Sequence, residues 1–312
     1  MAVPFKCAYI FCVMRYVLFV LSIFVFGFTV NPYFAYAGNK APAPQPYILP
    51  WQLRPAAPVS VVRIDSSLAM NKSSMTYAMF VLGSYKVWKN LSPFVRLGLV
   101  ENISTKNGHD YAAITNPALG AAYTFFLPKH LRLTTALAFV IPVGMGGGDK
   151  RDNNIFNTIQ SGNYARSAMD GAMYAVNDFT TMAGLDFAFV AHRWTVQLET
   201  SFLFLSRTRG AAVQKDTFKA NMTSGLFVGY FIGSSFSLGA EIRYQRWLST
   251  PVAVQADPLK RDTLSLALGF RFHFQIKDKV WIRPGFSYSR GLTGLMSTQN
   301  YDIMQFDLPI AF

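Results

Sequence analysis

Residues 264–276, LSLALGFRFHFQI, alternate without interruption: Leu264, Leu266, Leu268, Phe270, Phe272, Phe274 and Ile276 share one parity, and Ser265, Ala267, Gly269, Arg271, His273 and Gln275 the other. Period two is the strand repeat. One face is continuously apolar and the opposite face carries Arg, His and Gln, so the strand divides an apolar phase from a polar one. The stretch TVQLETSFLF repeats the pattern, with Val196, Leu198, Phe202 and Phe204 opposed by Gln197, Glu199 and Ser201. Composition agrees: 51% of the chain is hydrophobic and 14% charged, where a soluble domain carries about 25% charged residues. Beyond the N-terminal segment no run approaches the roughly 20 apolar residues of a membrane-spanning helix. A chain that spans a membrane without helices must close its strands into a barrel, which pairs every backbone group.

Twelve strand-length units follow one another, at about 59–70, 75–88, 93–103, 116–126, 131–143, 177–190, 194–206, 217–232, 236–248, 262–276, 280–291 and 300–312. The expected fold is therefore all-β, a transmembrane antiparallel up-and-down barrel of about twelve strands. After the second, fourth, sixth, eighth and tenth units come the tight turns KNLS, LPKH, AHR, GSS and KDK, while most of the intervening loops are longer. Short turns on the periplasmic side and long loops outside are the habit of bacterial barrels. An even strand number leaves both ends of the barrel chain on the short-turn side. Trp88, Trp194, Trp247 and Trp281 fall near strand ends, where an aromatic girdle meets the membrane interface.

Ahead of the strands, Arg15, an apolar stretch over residues 16–30, and Ala35 and Ala37 in A-x-A spacing read as a secretory signal spanning residues 1–37. Translation from Met14 instead of Met1 would give that signal a conventional start. Cys7 and Cys12 both lie inside it, so disulfides and thiol chemistry are excluded from the mature chain. Residues 38–58, rich in proline, form a periplasmic linker or a plug, and residues 59–312 the barrel. The five apolar residues Tyr47, Ile48, Leu49, Trp51 and Leu53 of that proline-rich segment need cover from water. Candidates for it are Phe80 and Phe126 at the periplasmic mouth, the outer rim of the barrel or a periplasmic partner.

The chain ends FDLPIAF, with Phe306, Leu308, Ile310 and Phe312 on one parity. This resembles bacterial outer-membrane β-barrel proteins and their C-terminal assembly signal, and the resemblance implies recognition by the barrel assembly machinery and residence in the outer membrane of a Gram-negative cell. The segments NPALGAAYTF and TTALAFVIPVGMGGGD are also similar to transporter barrels associated with phenol and other aromatic-compound degradation.

With the more apolar parity facing lipid, the lumen receives a basic cluster of Arg63, Lys86, Arg96, Arg132, Arg243, Arg271 and Arg283, together with the acids Asp65, Asp186, Glu199, Glu241 and Asp307. A positive ring in a narrow channel concentrates anions; the same side chains paired across the barrel would make a solid plug. Phe80, Leu82, Phe126, Val140, Leu203 and Phe227 also point inward, to line a passage for partly hydrophobic solutes or to pack a closed interior. Two functions stand: a pore or transporter for small solutes, anionic or partly hydrophobic, and a structural or surface-interaction barrel with a filled lumen.

The longest irregular segment, residues 144–176, offers Ala165, Ala168, Met169, Ala172, Met173 and Val176 at helical spacing, which predicts a short amphipathic helix in a constriction or an external cap. Asp149, Asp152, Asn153 and Asn154 do not follow the order of a calcium loop, and no metal or cofactor is expected. Outer-membrane phospholipases of twelve strands are the competing enzyme class, but none of His109, His130, His192 and His273 falls on the lipid face beside a serine, so a positioned base is missing and no enzyme is expected. The net charge is +13, and the basic residues expected outside the cell lie on separate loops with no groove-reading module, which argues against nucleic acid. The expected partners are outer-membrane lipid, the phosphates of lipopolysaccharide facing loop Arg and Lys side chains, and small solutes.

Overall fold

The computed structural model describes residues 47–52, 60–72, 74–104, 110–277 and 279–312. The signal-peptide reading, residues 1–37, lies outside the described residues, as do residues 38–46 and 53–58 of the proline-rich segment.

Fifteen strands run in chain order: β1 Val61–Met70, β2 Ser74–Ser84, β3 Leu91–Ser104, β4 Asp110–Ile114, β5 Ala118–Leu127, β6 Leu131–Val140, β7 Asp178–Ala191, β8 Trp194–Arg207, β9 Phe218–Ile232, β10 Phe236–Trp247, β11 Asp262–Phe272, β12 Phe274–Lys277, β13 Val280–Ile282, β14 Gly285–Gly291 and β15 Asp302–Ala311. They make a closed barrel of twelve antiparallel wall strands, because three of the twelve are interrupted. β4 and β5 both pair with β3 and break at residues 115–117; β11 gives way to β12 at His273; β13 gives way to β14 at residues 283–284. Two of these breaks hold a proline, Pro117 and Pro284, which has no N–H to offer the ladder. β15 returns to β1 in continuous register from Val61 opposite Ala311 to Met70 opposite Asp302, and this pairing closes the wall.

The alternation expected from the sequence holds around the barrel. Leu198, Phe202, Phe204, Leu268, Phe270, Phe272 and Phe274 are exposed on the outer face, and Gln197, Glu199, Ser201, Ser265, Ala267, Arg271 and His273 are buried within. The tightest reversal, between β7 and β8, carries positive φ at both His192 and Arg193, the twist of a primed two-residue hairpin turn.

The lumen is filled by two segments that are not wall. From the long-loop side comes the chain between β6 and β7, with helix α1 Asn153–Ala165 and the single turn α2 Gly171–Tyr174. The helix begins one residue after Asp152, whose Oδ1 accepts from the amides of Asn154 and Ile155 at 2.8 and 3.3 Å, an N-cap. The helix expected over residues 165–176 is thus only partly met: α1 ends at Ala165, residues 166–170 are buried turns and α2 covers four residues, so the small and apolar side chains here answer to burial more than to one helical period. From the short-turn side, residues 47–52 lie buried inside the barrel.

Candidate functional site: the filled lumen

The inserted loop is fastened at the break in the wall between β4 and β5. Asn116 is fully buried there; its amide N–H donates to the Met173 carbonyl at 2.9 Å, its Nδ2 to the Ala175 carbonyl at 2.9 Å, and its Oδ1 accepts from the Gly144 amide at 2.9 Å. One side chain therefore holds both ends of the insertion. Arg209 adds a second clasp, donating to the carbonyls of Val176 at 2.8 Å and Gly144 at 2.5 Å. Inside, Tyr174 meets Phe80 edge to face at 6.0 Å, and Ile159, Ala165, Ala172 and Met173 pack with Val100, Val140 and Leu203 of the wall.

The 47–52 segment occupies the other end. Ile48 and Trp51 pack with Phe227, Phe231 and Ala267, and Tyr47 and Leu49 with Val61, Ala188 and Val190. Trp51 is 1% exposed and meets Phe227 edge on at 5.6 Å. Two glycines paired across β9 and β10, Gly229 and Gly239, make the notch that receives these side chains. A Cβ on Gly229 would sit 2.6 Å from Ile48 Cδ1, and one on Gly239 would sit 3.0 Å from the Trp51 ring. Tyr47, Ile48, Leu49 and Trp51 have thus found cover inside the lumen, against Phe227, Val61 and their neighbours instead of Phe80 and Phe126; Leu53 lies outside the described residues.

Between the two fillings lies a band of buried charge. Arg63 Nε donates to Asp65 at 2.6 Å and its Nη2 lies 2.8 Å from Asp307; Arg271 reaches the same Asp307 oxygen at 2.8 Å. Arg96 grips Asp170 of the inserted loop through two bonds, 2.7 and 3.0 Å, and Arg166 donates to Asp170 at 3.0 Å. Both Arg96 and Arg166 lie within 4 Å of Asp65, at 3.9 and 3.7 Å. Asp65 therefore borders both fillings at once: it steadies Arg63, which holds the 47–52 segment, and attracts Arg96, which holds the loop, and Arg166 of the loop itself.

The sequence-expected residues distribute as follows. Arg63, Arg96, Arg243, Arg271, Asp65, Asp186, Glu199, Glu241 and Asp307 are buried inside, and Arg132 and Arg283 half-buried; Lys86 is exposed beyond the end of β2 and does not join them. Arg132 packs over Tyr47 at 5.0 Å and over Phe126 at 5.6 Å. Phe126, although on the inward parity, is 53% exposed at the mouth, because it sits at the last turn of its strand beyond the filling. Carboxylates are interleaved with the arginines, so the expected positive ring is close to balanced. Sequence reasoning missed Asp170 and Arg166, which lie in the loop; the i, i+2 spacings Arg63/Asp65 and Glu241/Arg243 were the available signal for the wall pairs.

Of the four tryptophans expected in a girdle, Trp88 and Trp194 are exposed by short turns, Trp194 against Tyr230 at 4.6 Å. Trp247 instead packs against the interior cluster. Trp281 pairs opposite Ala311 on the inward parity, with Arg283 over its ring at 5.2 Å. Both therefore fall on the lumen side of the wall. Phe306 and Phe312 are exposed on the outer face, Leu308 and Ile310 half-buried on the same parity, and the Phe312 amide donates to Ser60 O at 3.1 Å across the closing seam.

His273 lies inside the lumen with its Nε2 2.8 Å from Ser237 Oγ and its ring against Phe231, so this Ser–His contact faces inward and not toward lipid. Asp149 and Asp152 serve as acceptors for the Ala212 amide and for the start of α1, and no metal-ligating cluster occurs among the described residues.

Comparison with known proteins adds the architecture. An outer-membrane channel from Pseudomonas putida F1 superposes with a TM-score of 0.54 at 11% identity, covering 88% of this chain and 100% of the channel. The likeness is one of fold. The NanC porin aligns with a TM-score of 0.46 at 8% identity over 80% of this chain and 98% of its own, and the translocator domain of the autotransporter NalP from Neisseria meningitidis with 0.46 at 11% identity over 81% and 87%. No family model and no curated protein matches the sequence. The similarity to aromatic-degradation transporters gains no support from these matches.

Proposed function

We propose that this chain is an outer-membrane channel for small solutes, held closed by two of its own segments. One observation carries the reading: the lumen is filled by chain that does not belong to the wall, seated on a charged and polar inner surface. A barrel meant only as a scaffold can fill itself with wall side chains. Here the wall side chains leave room for two further segments and hold them through hydrogen bonds, ion pairs and apolar contacts. Solutes that are anionic or partly hydrophobic suit the exposed wall, which would present arginines next to Phe227, Val140 and Leu203 once the segments withdraw.

The filled interior favours the second reading, a structural barrel, on a specific point: a cavity lined by Phe94, Arg96, Ala118, Met169 and Met182, between the loop and the wall, is only about 10 Å3, room for roughly one water. Planar-bilayer recordings separate the two. The channel reading expects brief openings in the wild type and sustained conductance in a variant lacking residues 38–50 and carrying Trp51→Ala. A folded variant that conducts no better than the wild type would leave the structural barrel as the answer.

A further inference from the structure

The seat of residues 47–52 holds main chain as much as side chain. The Ile48 amide donates to Thr195 Oγ1 at 3.1 Å and the Trp51 amide to Glu241 Oε2 at 3.2 Å. In the other direction, the Leu49 carbonyl accepts from Arg271 at 3.1 Å, the Pro50 carbonyl from Arg63 at 2.9 Å, and the Trp51 carbonyl from Gln305 at 2.9 Å and from Arg63 as well. These five wall residues come from five different strands, β1, β8, β10, β11 and β15, and all are buried. Donors and acceptors are thus set out around the lumen to meet the main chain of residues 48–51, which ends in a turn at residues 51–52, while the Gly229/Gly239 notch and Phe227 take its apolar side chains.

Two arginines of the seat are also held by the wall. Arg63 is oriented by Asp65 and Asp307, and Arg271 by Asp307 and by the Arg283 carbonyl at 2.7 Å. With the guanidinium groups held by wall acceptors, the seat keeps its shape when the segment departs, and a preformed seat loses little on rebinding. Pro50 restricts the bound segment before it docks, in the same sense.

We infer that this seat is a peptide-binding site, with residues 47–52 as its tethered resident. The ligand class is a short peptide with an aromatic and a branched apolar side chain that ends in a turn as the resident does, and such a peptide arriving from outside the chain competes with the resident. The assignment deepens the channel reading by naming a solute class; binding itself is independent of conduction. A tether supplies an effective concentration of order millimolar, so an outside peptide binds the intact chain more weakly than a chain without the segment.

The test uses a variant lacking residues 38–52, its folding verified by heat-modifiable migration, titrated calorimetrically with the blocked hexapeptide Tyr-Ile-Leu-Pro-Trp-Gln. Expected are saturable one-to-one binding, at least tenfold weaker binding of the all-D peptide, at least tenfold weaker binding when Gly239→Val is added, and at least tenfold weaker binding to the full chain. Absence of binding, equal binding of the D-peptide, or equal binding to the full chain overturns the assignment. Indole-3-propionate serves as a second probe; affinity equal to that of the hexapeptide overturns peptide recognition in favour of a simple apolar acid. If the deletion does not fold, full-length Tyr47→Ala/Trp51→Ala replaces it, with the same outcomes. Bilayer recording of the same variants keeps the two proposals apart. Binding without conductance refutes the channel and retains the seat, and conductance without binding does the reverse.

Discussion

Trp51→Ala isolates the closing segment from the wall. The indole is buried against Phe227 and the Gly239 notch, and truncating a buried Phe or Trp to Ala costs about 3–5 kcal/mol. Because the wall is untouched, most of that loss falls on docking of the segment and little on the barrel. At 1.4 kcal/mol per tenfold, the docking equilibrium moves by roughly two to three powers of ten, enough to carry a segment from almost always seated to seated about half the time. Open probability in planar bilayers reads this directly, with unchanged heat-modifiability as the folding control. Trp51→Phe sharpens the argument. The indole N–H has no acceptor among the described residues, and an unsatisfied buried donor costs about 1–3 kcal/mol. Phe keeps a ring on Phe227 and removes that donor, so this variant is expected to stay closed. Equal open probability for Trp51→Ala and the wild type, both folded, would refute the reasoning.

Asp170→Asn leaves Arg96 and Arg166 buried with a weakened partner, a loss of up to about 3–5 kcal/mol, and is expected to expose the 144–176 loop to added protease; equal resistance to cleavage would count against the loop as a held insertion. Because Asp65 borders both fillings, a double-mutant cycle of Trp51→Ala with Asp170→Asn is expected to show coupling of about 0.5–3 kcal/mol in open probability, whereas strict additivity would mean two independent closures. In the opened Trp51→Ala channel the interleaved acids predict only a weak anion preference, and Arg96→Ser with Arg132→Ser is expected to turn the reversal potential toward cations; a strong anion preference surviving the double change would contradict this. Deleting Phe312 removes the Phe312 amide bond to Ser60 at the seam and is expected to lower the yield of heat-modifiable barrel, so normal yield would dismiss the terminal residue as an assembly determinant.

The wall was legible in the sequence because lipid on one side and polar groups on the other impose period two on each strand, as residues 264–276 display. The interruptions were less legible. Pro117 and Pro284 marked two of them, yet β4, the short DYAAI, alternates too weakly to separate from a loop. The filling was legible in part: Tyr47, Ile48, Leu49 and Trp51 demanded cover, and parity could name Phe227 as inward but not as the residue they would meet. Arg96 with Asp170 joins positions 74 residues apart, a pairing that depends on where a loop enters the barrel. Parity also says nothing about height in the wall, which is why Lys86 and Phe126 were assigned to the interior and lie at its edge.

The seam between β1 and β15 sets an order in time. Trp51 takes a bond from Gln305, a residue 254 positions later in the chain, and Arg271 and Glu241 are also contributed by strands near the end. Pairings this remote form late. Part of the seat, on β8 to β11, stands before the last strand is made. The bonds from Gln305 and from Arg63 across the seam come only when β15 meets β1, so the segment that precedes the first strand is fully held only after the last strand is in place.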